Sequence, residues 1–176
     1  MIRFNAIRDL IETGSLKTLY VQYGSDYANF SVGPFQMKPA FAEELERAWK
    51  ERGEGEDYEW SWSGDTIQKT EQRYRRLERL VSLKGQIIYL NMFYQLMEDR
   101  FAGSHFKSLE EKIRIYATAY NAGMGLGTDR LNELSRIRQF HTGLFSWNAA
   151  NRYNYADIAL YYFRQINSDS MEDGLR

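Results

Sequence analysis

Proline is excluded from helix interiors, because its ring removes a donor and clashes with the preceding turn. This 176-residue chain has only two, Pro34 and Pro39. Both lie in one stretch, "ANFSVGPFQMKPAFAEELE", Ala28 to Glu46. They bracket Phe35, Gln36 and Met37 as a short, stiff, non-helical segment, and helix chemistry comes directly after it. The placement predicts a turn whose Phe35-Gln36-Met37 backbone is held still.

Elsewhere, helical periodicity dominates. Phe41, Leu45, Ala48 and Trp49 make one apolar face. Asp65 or Thr66 can cap a long helix. Its early half, "KTEQRYRRLERL", reads as a solvated charged face. Leu83, Ile87, Leu90, Tyr94, Met97 and Phe101 then form a core-facing stripe, with a break or bend near Gly85. Ser108 and Glu111 have the spacing of a capping box. The helix they open carries Leu109, Ile113, Tyr116 and Tyr120 on one face, and Gly123 is placed to stop it. A last amphipathic segment runs from Tyr155 to about Ile166, with Tyr155, Ala159, Tyr162 and Ile166 as its stripe. The acidic, glycine-flanked "GEGEDYEWSWSG", Gly53 to Gly64, reads as a surface loop or a minor hairpin. No repeat and no alternating strand pattern is present. The expectation is an all-α fold, one domain spanning residues 1–176.

Composition excludes several function classes. Hydrophobic residues at 43% and aromatics at 15% argue against disorder. A formal net charge of -1 gives no global field toward nucleic acid or an anionic membrane, and neither partner is expected. Cysteine is absent, which removes disulfides, thiol catalysis and thiolate metal sites. His105 and His141 lie far apart with no neighbouring ligand pattern, so no metal or other cofactor is expected. "GMGLG", Gly123 to Gly127, is glycine-rich, but no strand pattern precedes it, as a nucleotide loop requires. The opening "MIRFNAIRDLIETG" has no apolar core of a signal peptide, and no later run is long enough to span a membrane. Either the chain is cytoplasmic or it lacks its leader.

Two stretches carry a resemblance when taken in order. "SVGPFQMKP" is a glycine-containing turn before a helix, and "ATAYNAG" is a helix end further along. The pair resembles the lytic transglycosylases and the wider lysozyme-like superfamily. Ser31, Gly33, Phe35, Gln36 and Met37 stand for that family's Met-Gln turn, with Pro34 and Phe35 loosening the match. Ala119, Tyr120, Asn121, Ala122 and Gly123 match its Ala-Tyr-Asn-x-Gly helix end. The resemblance implies a lysozyme-like helical domain acting on peptidoglycan glycan strands in the cell envelope or periplasm. It implies that Ser31, Gln36, Met37, Tyr120 and Asn121 contact substrate. Gln36 would bind the sugar beside the cleaved bond, and its amide suits an N-acetyl group and hydroxyls at once. Gln36 and Tyr120 are then expected to face each other across a groove.

The implied chemistry needs one carboxylic acid to protonate the leaving glycosidic oxygen. The sugar's own 6-hydroxyl then closes on C1 and leaves a 1,6-anhydro product, so no second carboxylate is required. Glu12, in "RDLIETGS", precedes the turn and is succeeded by Thr13, as the family pattern asks. On a second view, Met1 to Phe4 correspond to the residues just after the family glutamate. The acid and the first helix would then lie upstream of residue 1. Plainer readings stand beside these. Gln36 can be a solvent-facing residue in a loop leading into a helix, Tyr120 a core tyrosine, and Asn121 a residue suited to a helix C-terminus. A non-catalytic glycan-binding module and an unrelated helical interaction protein are the alternative functions.

Overall fold

The computed structural model describes residues 14–53, 66–138, 140–141 and 152–173. It is all-α in class. Helix α1 has its described part at residues 14–23. A single 3-10 turn comes next at Ser25–Tyr27, then α2 (Pro39–Glu51), α3 (Thr66–Val81), α4 (Leu83–Arg100), α5 (Leu109–Ala122), α6 (Thr128–Leu134) and α7 (Tyr155–Asp173). Two short strands, β1 (Phe140–His141) and β2 (Arg152–Tyr153), pair antiparallel, with Phe140 opposite Tyr153. The expected loop or hairpin at 53–64 lies, from residue 54 onward, outside the described residues. Among the described residues no helix is long and apolar enough to cross a membrane. The chain forms two compact units, Met1–Leu96 and Met97–Arg176, and the boundary falls inside α4.

In the first unit, glycines and arginines decide where helices stop. Gly24, at φ 89, ends α1, and its N–H donates to the Tyr20 carbonyl at 2.8 Å. Arg73 donates to the Val21 carbonyl at 2.7 Å, placing a cation on the negative end of α1. Pro39 occupies the first turn of α2, where its missing N–H costs nothing. Leu45 and Trp49 are buried as their spacing predicted. Between α3 and α4, the Ser82 hydroxyl donates to the Arg79 carbonyl and accepts from the Gly85 N–H, both at 3.0 Å. A Cβ on Gly85 would lie 2.2 Å from that same carbonyl oxygen, so this bend admits only glycine.

The centre of the first unit is charged. Glu46 is 0% exposed and Arg76 is 5% exposed. Arg76 Nε donates to Glu46 Oε2 at 2.7 Å, and its terminal nitrogen donates to the same oxygen. The Tyr89 hydroxyl donates to Glu46 Oε1. Arg76 also donates to the Tyr20 hydroxyl at 2.5 Å, and Tyr20 donates to Glu43 Oε1 at 2.7 Å. One network therefore ties α1, α2, α3 and α4. Burial, above all, pushes the Tyr20 and Tyr89 phenols up; at Tyr20 Arg76 opposes it and Glu43 adds to it, while at Tyr89 Glu46 adds to it and Arg79 opposes. Burial alone would lower Arg76, but Glu46 outweighs it and the guanidinium is raised.

This network corrects two expectations. The charged run of α3 is not simply a solvated face, because Arg73 and Arg76 turn inward while Arg75 pairs with Glu71 in solvent. The stripe expected to face the core on α4 is rotated. Leu83, Ile87 and Tyr94 are exposed and the buried side there carries Gln86, Tyr89, Met92 and Phe93, whereas Met97 and Phe101, at the end of the stripe, are buried as expected. Apolar periodicity passes over a polar pair at the buried positions, and that pair sets the face.

In the second unit, α5 packs along α7 and α6. Ser108 Oγ accepts the Glu111 N–H at 3.2 Å, as its spacing predicted, while Glu111 accepts from the Lys107 N–H at 2.6 Å. Ile115, Tyr116 and Ala119 form the buried face of α5, and Tyr116 packs against Phe101 and Phe106. Ala156 and Leu160 form that of α7. Leu109, Tyr162 and Ile166, expected in the core, are exposed. On α7 the buried positions, Ala156 and Leu160, lie one residue along from the expected Tyr155 and Ala159.

Removing Arg76 leaves the fully buried Glu46 carboxylate without its close cation, with only Arg79, at 3.6 Å, remaining as a guanidinium partner. Arg76→Met is expected to cost about 3–5 kcal/mol in urea denaturation. Arg75→Ala, at an exposed pair, should leave the midpoint near that of the parent protein. Burial of the phenols also sets an alkaline limit. Their contribution is complete below the ordinary tyrosine value of 10.0 and is lost as pH rises through their raised folded values. Stability should fall steeply above pH 10, with phenolate absorbance rising together with unfolding, and Tyr89→Phe should flatten that fall.

Candidate functional site

The turn between the prolines is fastened at its base and from one side. Val32 and Met37 exchange both backbone hydrogen bonds, at 2.9 and 3.0 Å. Gly33 and Gln36 close the loop above them, with the Gln36 N–H donating to the Gly33 carbonyl at 3.1 Å. From α4, the fully buried Gln86 reaches the loop with its whole amide. Its oxygen accepts the Phe35 N–H at 2.8 Å, and its nitrogen donates to the Val32 and Leu80 carbonyls at 2.5 and 2.6 Å. Gly33, at φ 69, lies so close to this clamp that a Cβ would fall 2.0 Å from Gln86 Nε2.

That frame displays Gln36. Its φ of 51 lies in the left-handed region, which an ordinary side chain occupies at a cost of roughly 1–2 kcal/mol. It is the only non-glycine residue with positive φ among the described residues. The Gln36 side chain is exposed and donates once, to the Gly33 carbonyl at 3.0 Å. Beside it, the Phe35 ring is 39% exposed. Ser31 is half-buried. Met37, expected among the substrate-contacting residues, is 1% exposed: its side chain turns into the core and anchors the turn from beneath.

The helix-end motif lies in the second unit. Tyr120 and Asn121 are half-buried in the last turn of α5. Burial, aided by Tyr155, pushes the Tyr120 phenol up to about 12, so it is a hydrogen-bond donor at neutral pH. Gly123, at φ 117, ends the helix and donates to the Ala119 carbonyl at 2.9 Å. In the adjoining GMGLG loop, the Met124 and Leu126 carbonyls receive the Arg100 guanidinium. A phosphate cradle turns N–H groups toward its ligand, and this loop turns carbonyls toward a cation instead.

Ser31, Gln36 and Met37 thus meet on one turn of the first unit, and Tyr120 and Asn121 on one helix end of the second. Glu12 lies outside the described residues. Glu46 is a buried carboxylate that sequence reasoning passed over. Both its oxygens are engaged by Arg76 and Tyr89, and none of it reaches solvent, so it has no route to a glycosidic oxygen. Gln86 was also missed. Its one sequence signal is an amide directly after Gly85, three residues before Tyr89, inside an otherwise apolar helix. Among the described residues, no three His, Cys, Asp or Glu side chains come together as a metal-holding group.

Gln86→Leu keeps the volume of the clamp but leaves two buried carbonyls and one N–H without their partner. It should cost about 2–3 kcal/mol in thermal or urea unfolding and speed amide exchange at Phe35 and Met37. Gly33→Ala, blocked by both φ and space, should be at least as damaging. A Gln36→Gly variant should be neutral or slightly stabilising, because it relieves the left-handed strain.

Compared with known proteins, the chain matches no family model, no curated protein and no solved structure.

Proposed function

We propose that the turn at residues 31–37 binds a sugar of a peptidoglycan strand, in a lysozyme-like protein of lytic transglycosylase type. The observation that carries this reading is Gln36: a strained, exposed glutamine on a turn whose backbone is fixed from within by Gln86. Strain of this kind persists where surrounding structure over-determines it, and it concentrates at ligand sites. A solvent-facing loop residue has no need of it, since glycine would serve at lower cost. An amide beside a partly exposed ring also fits the two faces of a sugar, its polar hydroxyls and N-acetyl group and its apolar C–H side.

In this reading a glutamate protonates the leaving oxygen and then accepts the proton of the 6-hydroxyl as the 1,6-anhydro ring closes. Glu12 is the residue assigned to that step. The second reading, a glycan-binding module without turnover, draws on Glu46. The fully buried carboxylate of the first unit is committed to Arg76 and Tyr89 and so takes no part in acid catalysis.

The test combines binding and product analysis. The chain should sediment with insoluble peptidoglycan, and Gln36→Ala should weaken this by about tenfold while melting near the parent temperature. Products carrying a 1,6-anhydro end, lost in Glu12→Gln, support the enzyme. Binding without such products supports the module. No sedimentation with peptidoglycan overturns both.

A further inference from the structure

A second polar surface lies wholly within the second unit. A cleft of about 600 Å³ opens beside the first turn of α5 and the segment after α6. Its lining contains Lys107, Arg136 and Arg138 together with Glu110, Glu111 and Asp157. The carboxylates are already engaged. Glu110 receives two hydrogen bonds from Arg164, both at 2.8 Å, Asp157 pairs with Arg114 at 2.8 Å, and Glu111 accepts the Lys107 backbone N–H. Arg164 and Arg114 thereby cancel two of the negative charges. Among the described residues, the side chains of Lys107, Arg136 and Arg138 form no ion pair. The chain between Glu133 and Asp157 contains no Asp or Glu, so the segment that carries Arg136 and Arg138 has no carboxylate of its own to give them.

The arginines stand on a fixed base. The buried Asn154 donates to the Ile137 and Leu134 carbonyls at 2.8 and 3.2 Å, and its oxygen accepts the Ala156 N–H at 2.7 Å. Arg114 donates to the Ser135 carbonyl at 3.3 Å, and the Ser135 hydroxyl donates to the Asn132 carbonyl at 2.8 Å. The backbone that carries Arg136 and Arg138 is therefore ordered before any ligand arrives, which lowers the cost of binding. Guanidinium groups bind carboxylates with two parallel hydrogen bonds. An adjoining cleft of about 480 Å³ shares Arg138 and Asp157 and carries Tyr161 and Tyr162, exposed and packed edge to face at 5.4 Å.

We propose that this cleft binds a short zwitterionic peptide, with Arg136 and Arg138 taking its carboxylates and the exposed tyrosines covering an apolar side chain. The mixed lining favours this ligand. Lys107, Arg114, Arg136 and Arg138 face Glu110, Glu111 and Asp157 on the same walls, a small cationic excess that is too little for a dense polyphosphate and suits a peptide whose own charges nearly balance. The site is separate from the Gln36 turn and stands without the glycan reading.

The experiment is calorimetric titration of the full chain with the peptide Leu-Glu-Lys-Leu, free at both ends, and with its counterpart in which every carboxyl group is an amide. The free-carboxyl peptide should bind, more weakly as salt rises, and the amidated one should bind at least about tenfold less tightly. The double variant Arg136→Gln/Arg138→Gln, checked for an unchanged melting temperature, should lose about tenfold for the free-carboxyl peptide. Gln36→Ala should bind it as the parent does. Absence of binding, equal binding of the two peptides, or an unaffected double variant overturns the proposal. Displacement of the peptide by a short single-stranded oligonucleotide at matched concentration overturns it in favour of a general polyanion surface.

Discussion

The first unit is organised around a carboxylate and a guanidinium that have left water together. Burying two charges costs several kcal/mol each, and mutual attraction returns that only if every remaining lone pair and proton is matched. The matching is close here. Glu46 gives one oxygen to Arg76 and the other to Tyr89, and Arg76 spends its remaining donors on Tyr20 and Glu43. Among the described residues, no buried side-chain nitrogen or oxygen lacks a partner. Such a pair adds little net stability over an apolar replacement. Its effect is on geometry, because four helices must keep one register for the network to close.

That register reaches the surface through α4. Tyr89 and Gln86 are three residues apart on one face of this helix, so fixing one fixes the other. Tyr89 answers to Glu46 below, and Gln86 answers to Phe35, Val32 and Leu80 above. The same helix face thus couples the buried charge to the shape of the exposed turn. Gln36 keeps a left-handed backbone because Gly33 and the Val32–Met37 pair leave it no relaxed alternative. A rigid element beneath and one strained polar residue on top is the arrangement expected of a site built for a preformed fit.

Legibility in the sequence depends on which forces are local. The stiff turn, the Ser108 cap and the Gly123 stop depend on residues a few positions apart, and each is found where its pattern put it. The Leu45 and Trp49 face of α2 was also legible, since both are apolar and buried. The faces of α4, α5 and α7 were not. In α4 the buried side is marked by a glutamine and a tyrosine, and their partners lie on other helices and on the turn. In α5 and α7 apolar residues occur on both sides, and only the size of the partner side chain decides which goes inward. Glu46 and Arg76 were invisible for the same reason, because each reads as an exposed charge until the other is placed beside it. In the turn singled out by its motif, Gln36 is exposed and Ser31 half-buried, while Met37 shares the motif and is buried, because it pairs with Val32 at the base of the turn.

A net charge of -1 conceals how differently the two units use their ions. In the first, Arg73 and Arg76 are consumed by α1, Glu43 and Glu46, so their charge organises the interior and offers nothing to a ligand. In the second, the carboxylates around α5 are matched by Arg114 and Arg164, and Arg136 and Arg138 are left facing an open cleft. The two cases share residue types and similar spacing along the chain. They differ in whether a complementary group is carried on a neighbouring helix. Where it is, arginine acts as a bracket within the fold. Where none is found among the described residues, the same side chain on an ordered backbone stays open to a ligand.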